Sequence, residues 1–162
     1  MKNSNSQKTD LKGSFNKIEA LCDEYLVKKA PFTLPANVKE IIVKLSPYFA
    51  IVAVVLGVPA VLALLGLGTF VVPLGTIGGL VTGRPFLGFG FILATVILAI
   101  NIVIEALAIP GLFSRSKSAW RLMYYASLIN IVHELITLNL GGMIIGGLIS
   151  LYFIFQVKEY YK

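Results

Sequence analysis

Four long apolar blocks dominate this sequence and restrict what it can fold into. They span residues 47–68, 86–109, 119–138 and 140–157. At a rise of about 1.5 Å per residue, around 20 apolar residues cross the hydrocarbon core of a bilayer as a helix. Only 14% of the residues are charged and 57% are hydrophobic, whereas a soluble domain has about 25% charged residues. The blocks therefore predict an all-α fold, an integral membrane bundle of four transmembrane helices.

The residues before the first block predict two cytoplasmic or interfacial amphipathic helices within 10–46. In the first, apolar residues recur at steps of three and four, which is typical of one helix face: Leu11, Phe15, Ile18, Cys22 and Tyr25. Pro31 ends this helix, and the second starts at Pro35 and leads into the first block. Residues 1–9 are polar and are predicted to be disordered, and residues 158–162 form a short tail.

The distribution of basic residues predicts the orientation. With four spans, all fourteen lysines and arginines except Arg84 fall on one side of the membrane. Any odd number of crossings would spoil this segregation, and the side rich in basic residues is the cytoplasmic one. The chain is therefore predicted to be a multi-pass protein of the cytoplasmic membrane with both termini in the cytoplasm. Aromatic residues, among them Tyr48, Trp120 and Tyr124, cluster near the predicted cytoplasmic boundaries.

Two connections between the blocks differ in kind. Residues 69–85 are rich in glycine and proline yet apolar, and they are expected either to dip into the interface or to fold over the outer mouth of the bundle. Between the third and fourth blocks only a tight turn fits. Asn139, Gly141 and Gly142 are expected to supply the positive φ that this turn needs, which makes the two blocks an antiparallel hairpin.

Polar residues inside the second and third blocks are the candidate site. Their spacing of three and four puts them on facing helix faces and predicts a polar seam through the bundle, composed of Asn101, Glu105, Ser127, Asn130, His133, Glu134 and Thr137. One reading is structural: the amides and hydroxyls bond across helices, and Glu105 pairs with Arg115 or Arg121. The other is functional, because an imidazole beside a carboxyl group in a low dielectric can exchange a proton near neutral pH.

Small residues spaced four apart predict close helix packing. They are Ala53 and Gly57 in the first block and Gly142, Gly146 and Ser150 in the fourth. Contacts within one chain explain this spacing, and contacts between two copies are the alternative. Pro59 is expected to kink the first block.

Several classes of function find no support in the sequence. His133-Glu134 lacks the second histidine of a zinc-protease motif, since position 137 is threonine, and no P-loop or nucleophile elbow is present. Cys22 is the only cysteine, so no internal disulfide can form. We therefore expect no enzymatic activity, no catalytic, cofactor-binding or metal-binding residues and no cofactor. The formal charge of +6 favours anionic headgroups on the cytoplasmic side over nucleic acid as the partner.

The order of motifs resembles an uncharacterised family of small bacterial four-helix integral membrane proteins. The resemblance rests on the run from Leu107 to Arg115, followed by Lys117, Trp120-Arg121 and Tyr124-Tyr125, and on residues 148–161. It covers roughly residues 35–162. It implies a bacterial inner membrane location and brings no known activity.

Two hypotheses of function follow. The first is a non-enzymatic scaffold, accessory subunit or assembly partner that acts through helix–helix contacts, in a homo-oligomer or with another membrane protein. The alternative is an oligomeric small transporter or channel that uses the polar seam. Four spans are few for a solitary secondary transporter, which usually contains paired repeats, and no internal repeat is evident here.

Overall fold

The computed structural model describes residues 4–30, 32–64 and 89–162, and this part of the chain is helical, without β-strands. The expected all-α class is confirmed. The helices are α1 (Ser4–Asp23), which continues as a π-helical turn (Glu24–Lys28), α2 (Ala36–Leu64), α3 (Phe89–Phe113), α4 (Lys117–Ile136) and α5 (Leu140–Gln156), followed by a short 3₁₀ turn (Lys158–Tyr160). The centre of α5, Met143–Leu148, is also π-helical.

Two helices are long and apolar enough to cross a membrane. These stretches are Ala36–Leu62 of α2 and Ile92–Phe113 of α3, with mean hydropathies of 2.2 and 2.6. Among the described residues, α4 does not meet the same test of length and composition, and α5 is apolar but shorter. The four-span arrangement therefore remains a prediction for α4 and α5. The 69–85 connection lies outside the described residues.

The first helix begins earlier than the apolar pattern indicated. α1 starts at Ser4, so residues 4–9 are helical rather than disordered. No proline or glycine lies between Ser4 and Lys12, and once a helix has formed, each further residue adds a hydrogen bond at little cost. The helix therefore extends into polar sequence that has no apolar face of its own.

The turn between α4 and α5 is tight, as expected, but a different residue takes the strained conformation. Leu138 has φ 53°, whereas Asn139 has a negative φ and caps α5 by accepting a 3.2 Å hydrogen bond from the Gly142 N–H. The N–H groups of Leu138 and Asn139 donate to the carbonyls of Leu135 and Glu134, a pattern that closes a helix end with one left-handed residue. Gly141 and Gly142 are instead free to form the first turn of α5.

The best-packed part of the molecule is the end where residues 157–162 lie, here called the tail end. Trp120 stacks on Tyr124 with ring centroids 5.7 Å apart, and Phe155 meets both rings edge-on. Trp120 and Tyr124 are therefore core residues rather than exposed boundary aromatics, whereas Tyr48 and Phe49 are exposed. The indole N–H of Trp120 donates to the Ile154 carbonyl over 2.8 Å, which ties α4 to α5.

Pro47 lies inside α2 and leaves the carbonyl of Val43 without its helical donor. The hydroxyl of Ser46 donates to that carbonyl at 2.9 Å, and the Tyr161 hydroxyl lies 2.9 Å from Ser46 Oγ. Because the Ser46 proton is directed to Val43, Tyr161 is the donor of the second bond. This chain of hydrogen bonds joins the tail to α2 and repairs the interruption that the proline causes.

Candidate functional site

The polar seam exists as one direct bond between α3 and α4. Asn101 Nδ2 donates to Asn130 Oδ1 at 2.8 Å, and the same amide also donates to the Ile97 carbonyl of its own helix. Asn101 is buried, and its Oδ1 has no hydrogen-bond partner among the described residues. Asn130 is exposed. The structure therefore joins the two asparagines that the sequence placed at similar depth, while leaving part of the Asn130 amide on the outer surface of the bundle.

The remaining hydroxyls of the seam point elsewhere. Ser127 Oγ lies 3.0 Å from Ser150 Oγ on α5, and Thr137 Oγ1 donates to the carbonyls of His133 and Glu134 in its own helix. A step of three residues turns the side chain by about 60° around a helix axis. Residues 127 and 130 therefore contact different neighbouring helices, and the stripe on α4 does not form one continuous face against α3.

His133 and Glu134 lie side by side near the α4–α5 turn. His133 Nδ1 is 3.6 Å from Glu134 Oε1, which exceeds a hydrogen-bond distance. His133 Nε2 and Glu134 Oε2 are buried, and within the part of the chain that the structure describes neither has a hydrogen-bond partner. Glu134 packs against Gly142, where a β-carbon would come within 2.5 Å of Oε2. The pair is thus the part of the seam whose polar groups are least satisfied.

Glu105 is half-buried on α3, and the expected ion pair with Arg115 or Arg121 does not form among the described residues. Arg115 instead approaches Glu40 on α2, with 3.9 Å between Nη2 and Oε1. Glu105 therefore lies apart from the other seam residues. Within the described ranges, no group of three or more His, Cys, Asp or Glu residues could hold a metal ion.

The small residues separate into internal and external positions. A β-carbon on Gly57 would lie 2.7 Å from Ile102, so this glycine allows the close approach of α2 and α3. Ser150 bonds to Ser127, and Ala53 is half-buried. Gly146 has open space around it, whereas its neighbour Gly147 packs on Ile131 of α4. The π-helical turn shifts the register of α5, so the expected Gly146 contact is taken by Gly147.

No pattern in the sequence was strong enough to identify the residues that hold α1 in place. Lys158 Nζ lies 3.1 Å from Glu19 Oε1 and 3.2 Å from Asp23 Oδ1, and it also lies over the Trp120 ring. Gln156 is fully buried; its Nε2 donates to the Leu26 carbonyl, and its Oε1 accepts from the Leu34 N–H. A glutamine at the end of an apolar block was the available clue.

These contacts dock the first helix on the bundle by part of its charged face as well as by part of its apolar face. Glu19 and Asp23 of its charged face meet Lys158, whereas Ile18, Leu21 and Tyr25 are exposed. Cys22 is half-buried, and burial raises the pKa of its thiol. Part of the predicted apolar face of α1 still packs on the bundle, because Phe15 contacts the Tyr125 ring edge-on and Cys22 lies against the buried core. The exposed residues Ile18 and Tyr25 belong to the same face.

A cavity of about 310 Å³ opens at the tail end. It lies between the π-helical turn, the starts of α2 and α4, and the tail, and three lysines reach it: Lys39, Lys117 and Lys158. Asp23 and Glu159 also line it. Its walls thus combine residues that are far apart in the sequence. A second cavity, of about 100 Å³, is almost wholly apolar and lies beside Trp120 and Met123.

The chain was compared with protein-family models, curated proteins and solved structures, and none of them matches.

Proposed function

We propose that this protein is a non-enzymatic scaffold or assembly partner of a bacterial cytoplasmic membrane, of the small four-helix kind that its motifs resemble. In this proposal α4 and α5 join α2 and α3 as membrane spans, and both termini face the cytoplasm. The two apolar helices and the segregation of basic residues support the membrane location. A topology reporter fused after Lys162 should be active only in the cytoplasm, and one inserted near Gly79 only outside.

The exposed amide of Asn130 carries the assembly role. Asn130 lies close to the middle of the predicted third span and is exposed on the bundle surface, and among the described residues it forms one hydrogen bond, with Asn101. Lipid chains cannot bond the rest of this amide, and an unsatisfied polar group in hydrocarbon costs several kcal/mol. A helix from a second copy or from another membrane protein would satisfy it, since asparagines commonly bond across membrane helices.

Photo-crosslinking from the neighbouring position tests this role. A photoreactive residue at Ile129, with Asn130 intact, should give one discrete covalent adduct in membranes. The same residue at Val103, which is exposed on α3, is the control and should give none. Adding Asn130→Leu should reduce the Ile129 adduct. The proposal fails if both positions give the same products, or if Asn130→Leu leaves the adduct unchanged.

The transporter or channel alternative has one observation in its favour. His133 Nε2 and Glu134 Oε2 are buried without partners, and intramembrane ionisable groups often mark ion or proton pathways. The direct hydrogen bond between Asn101 and Asn130 argues against transport, because it fills the middle of the polar seam that an ion or proton would have to cross. Reconstituted vesicles separate the two functions: a pH-driven or cation-driven flux that Glu134→Gln abolishes would favour transport, and no flux above empty vesicles would favour assembly.

A further inference from the structure

The cavity at the tail end has the chemistry of a phosphate-binding pocket. Its volume of about 310 Å³ is at the lower end of the range for ligand sites, about 300–1,000 Å³. This is enough for a headgroup but not for a whole lipid. Three lysines line it, from three separate parts of the chain: Lys39 on α2, Lys117 on α4 and Lys158 in the tail.

The three lysines are not equivalent. Lys158 forms ion pairs with Glu19 and Asp23 and lies over the ring of Trp120. Its charge is therefore already neutralised within the protein. Lys39 and Lys117 are the other two lysines of the lining. The charged residues that line the cavity are three lysines and two carboxylates, Asp23 and Glu159, so the lining as a whole carries one positive charge in excess.

The two partners of the ion pair between Lys39 and Glu159 differ in burial. The side chain of Lys39 is only 14% exposed, whereas that of Glu159 is 66% exposed, with 3.0 Å between Nζ and Oε1. A buried ammonium group needs a strong partner, yet ion pairs with an exposed carboxylate contribute little. Glu159 can therefore swing into solvent and leave Lys39 to a more highly charged anion.

We propose that Lys39 and Lys117 bind the phosphate of an anionic lipid headgroup of the cytoplasmic leaflet, and that Glu159 occupies the pocket when no lipid is bound. Basic pockets between helices on the cytoplasmic side suit anionic headgroups. Val27, Phe155 and Tyr161 are among the other residues that line the cavity. This inference rests on the proposed membrane location and orientation.

Lipid retention measures the site directly. The purified full chain in detergent would be mixed with phosphatidylglycerol or with phosphatidylcholine, and native mass spectrometry would count the lipid molecules bound. We expect one phosphatidylglycerol in preference to phosphatidylcholine. Lys39→Gln and Lys117→Gln should each weaken its retention by about fivefold. Glu159→Gln, which removes the competing carboxylate, should strengthen it. Lys44→Gln is the matched control, because Lys44 is exposed and pairs with Glu40.

Two further experiments are needed. The first distinguishes a lipid phosphate from a free phosphate compound, and the second distinguishes failure of the pocket from failure of the membrane location. If inorganic phosphate displaces phosphatidylglycerol at equal concentration, a free phosphate compound is the ligand, and the pocket assignment stands. Binding by a chain that fractionates without membranes would overturn the membrane location while keeping the pocket. Equal retention by the wild type and both lysine variants would overturn the pocket, and so would weaker retention by Glu159→Gln. Both outcomes are independent of the crosslinking from Ile129.

Discussion

The carboxylate of Glu134 lies directly against the Cα of Gly142, so that a β-carbon at position 142 would come within 2.5 Å of Oε2. This contact closes the hairpin of α4 and α5 at the end opposite the tail. The Glu134 carboxylate thereby occupies the space that a β-carbon at position 142 would need. Even an alanine at position 142, in the first turn of α5, would meet this carboxylate.

Gly142→Ala should therefore destabilise the protein, whereas Gly146→Ala should not. The new methyl group at 142 would displace the ends of the Glu134 and Asn139 side chains, and moving Asn139 breaks its cap on the Gly142 N–H, which costs about 0.5–2 kcal/mol. Gly146 has no atom within 4 Å of the corresponding position, so alanine there should gain up to about 1 kcal/mol from helix propensity. Unfolding in mixed micelles measures both, and equal effects would contradict the contact.

The hydrogen bond between Asn101 and Asn130 should make a modest contribution to stability. A double-mutant cycle with Asn101→Leu, Asn130→Leu and the double variant isolates the pair. We expect a coupling of about 0.6 kcal/mol and at most about 1.7 kcal/mol, as for other interhelical bonds in membranes. A coupling free energy of zero would mean that the two amides do not bond in the bilayer.

Glu134→Gln should fold normally, whereas Glu134→Leu should be destabilised. Glutamine keeps the shape that packs against Gly142 and retains an acceptor beside His133. Leucine removes the carboxylate beside His133, and its branched end has to fit into the space against Gly142; overpacking of this kind costs about 1–3 kcal/mol. Folded yield and unfolding in detergent measure the effect. A fully stable Glu134→Leu variant would show that the side chain faces water or headgroups.

Lys158→Gln should release the C-terminal half of α1. The substitution leaves Glu19 and Asp23 facing each other without a cation, and hydrogen bonds to charged groups contribute about 1.5–3 kcal/mol. Amide exchange across residues 19–26 should therefore become at least about tenfold faster. Lys162→Gln is the control, because Lys162 is exposed and its described hydrogen bonds use the backbone. Unchanged exchange in Lys158→Gln would rule out the clamp.

Stability should fall at alkaline pH in a way that depends on Cys22. Burial raises the pKa of this thiol above 9.0, an effect that Lys158 opposes and Glu19 reinforces. The folded state thus favours the protonated thiol, so its contribution to stability is complete below about pH 9 and is lost as the pH rises through the higher pKa of the folded state. Burial raises the pKa of Tyr161 above 10.0 as well, with the same sign.

Thermal unfolding of the wild type and of Cys22→Ala between pH 7 and pH 10 measures the thiol contribution as the difference between the two curves. The two curves should converge or cross as the pH rises. Alkylation of Cys22 at pH 8 should also be slower in the folded protein than in the unfolded chain. Parallel stability curves together with equal alkylation rates would show that the thiol is exposed.

The sequence alone determined the helical class, the two strongly apolar helices and the pairing of Asn101 with Asn130. These follow from periodicity and hydropathy, which depend on residues near one another along the chain. The tertiary structure decided the rest. Glu19 and Asp23 face inward because Lys158, more than 130 residues away, is brought beside them by the aromatic core of Trp120 and Phe155.

Sequence patterns also could not predict which residues of a helix contact its neighbour. The π-helical turn of α5 places Gly147 rather than Gly146 against Ile131. Leu138 adopts a left-handed conformation that isolated leucines avoid. At Leu138, the closing hydrogen bond from the Asn139 N–H to the Glu134 carbonyl accompanies a conformation that costs about 1–2 kcal/mol. A charge placed by distant contacts and a register set by a neighbouring helix are properties of the folded chain, and only its structure reveals them.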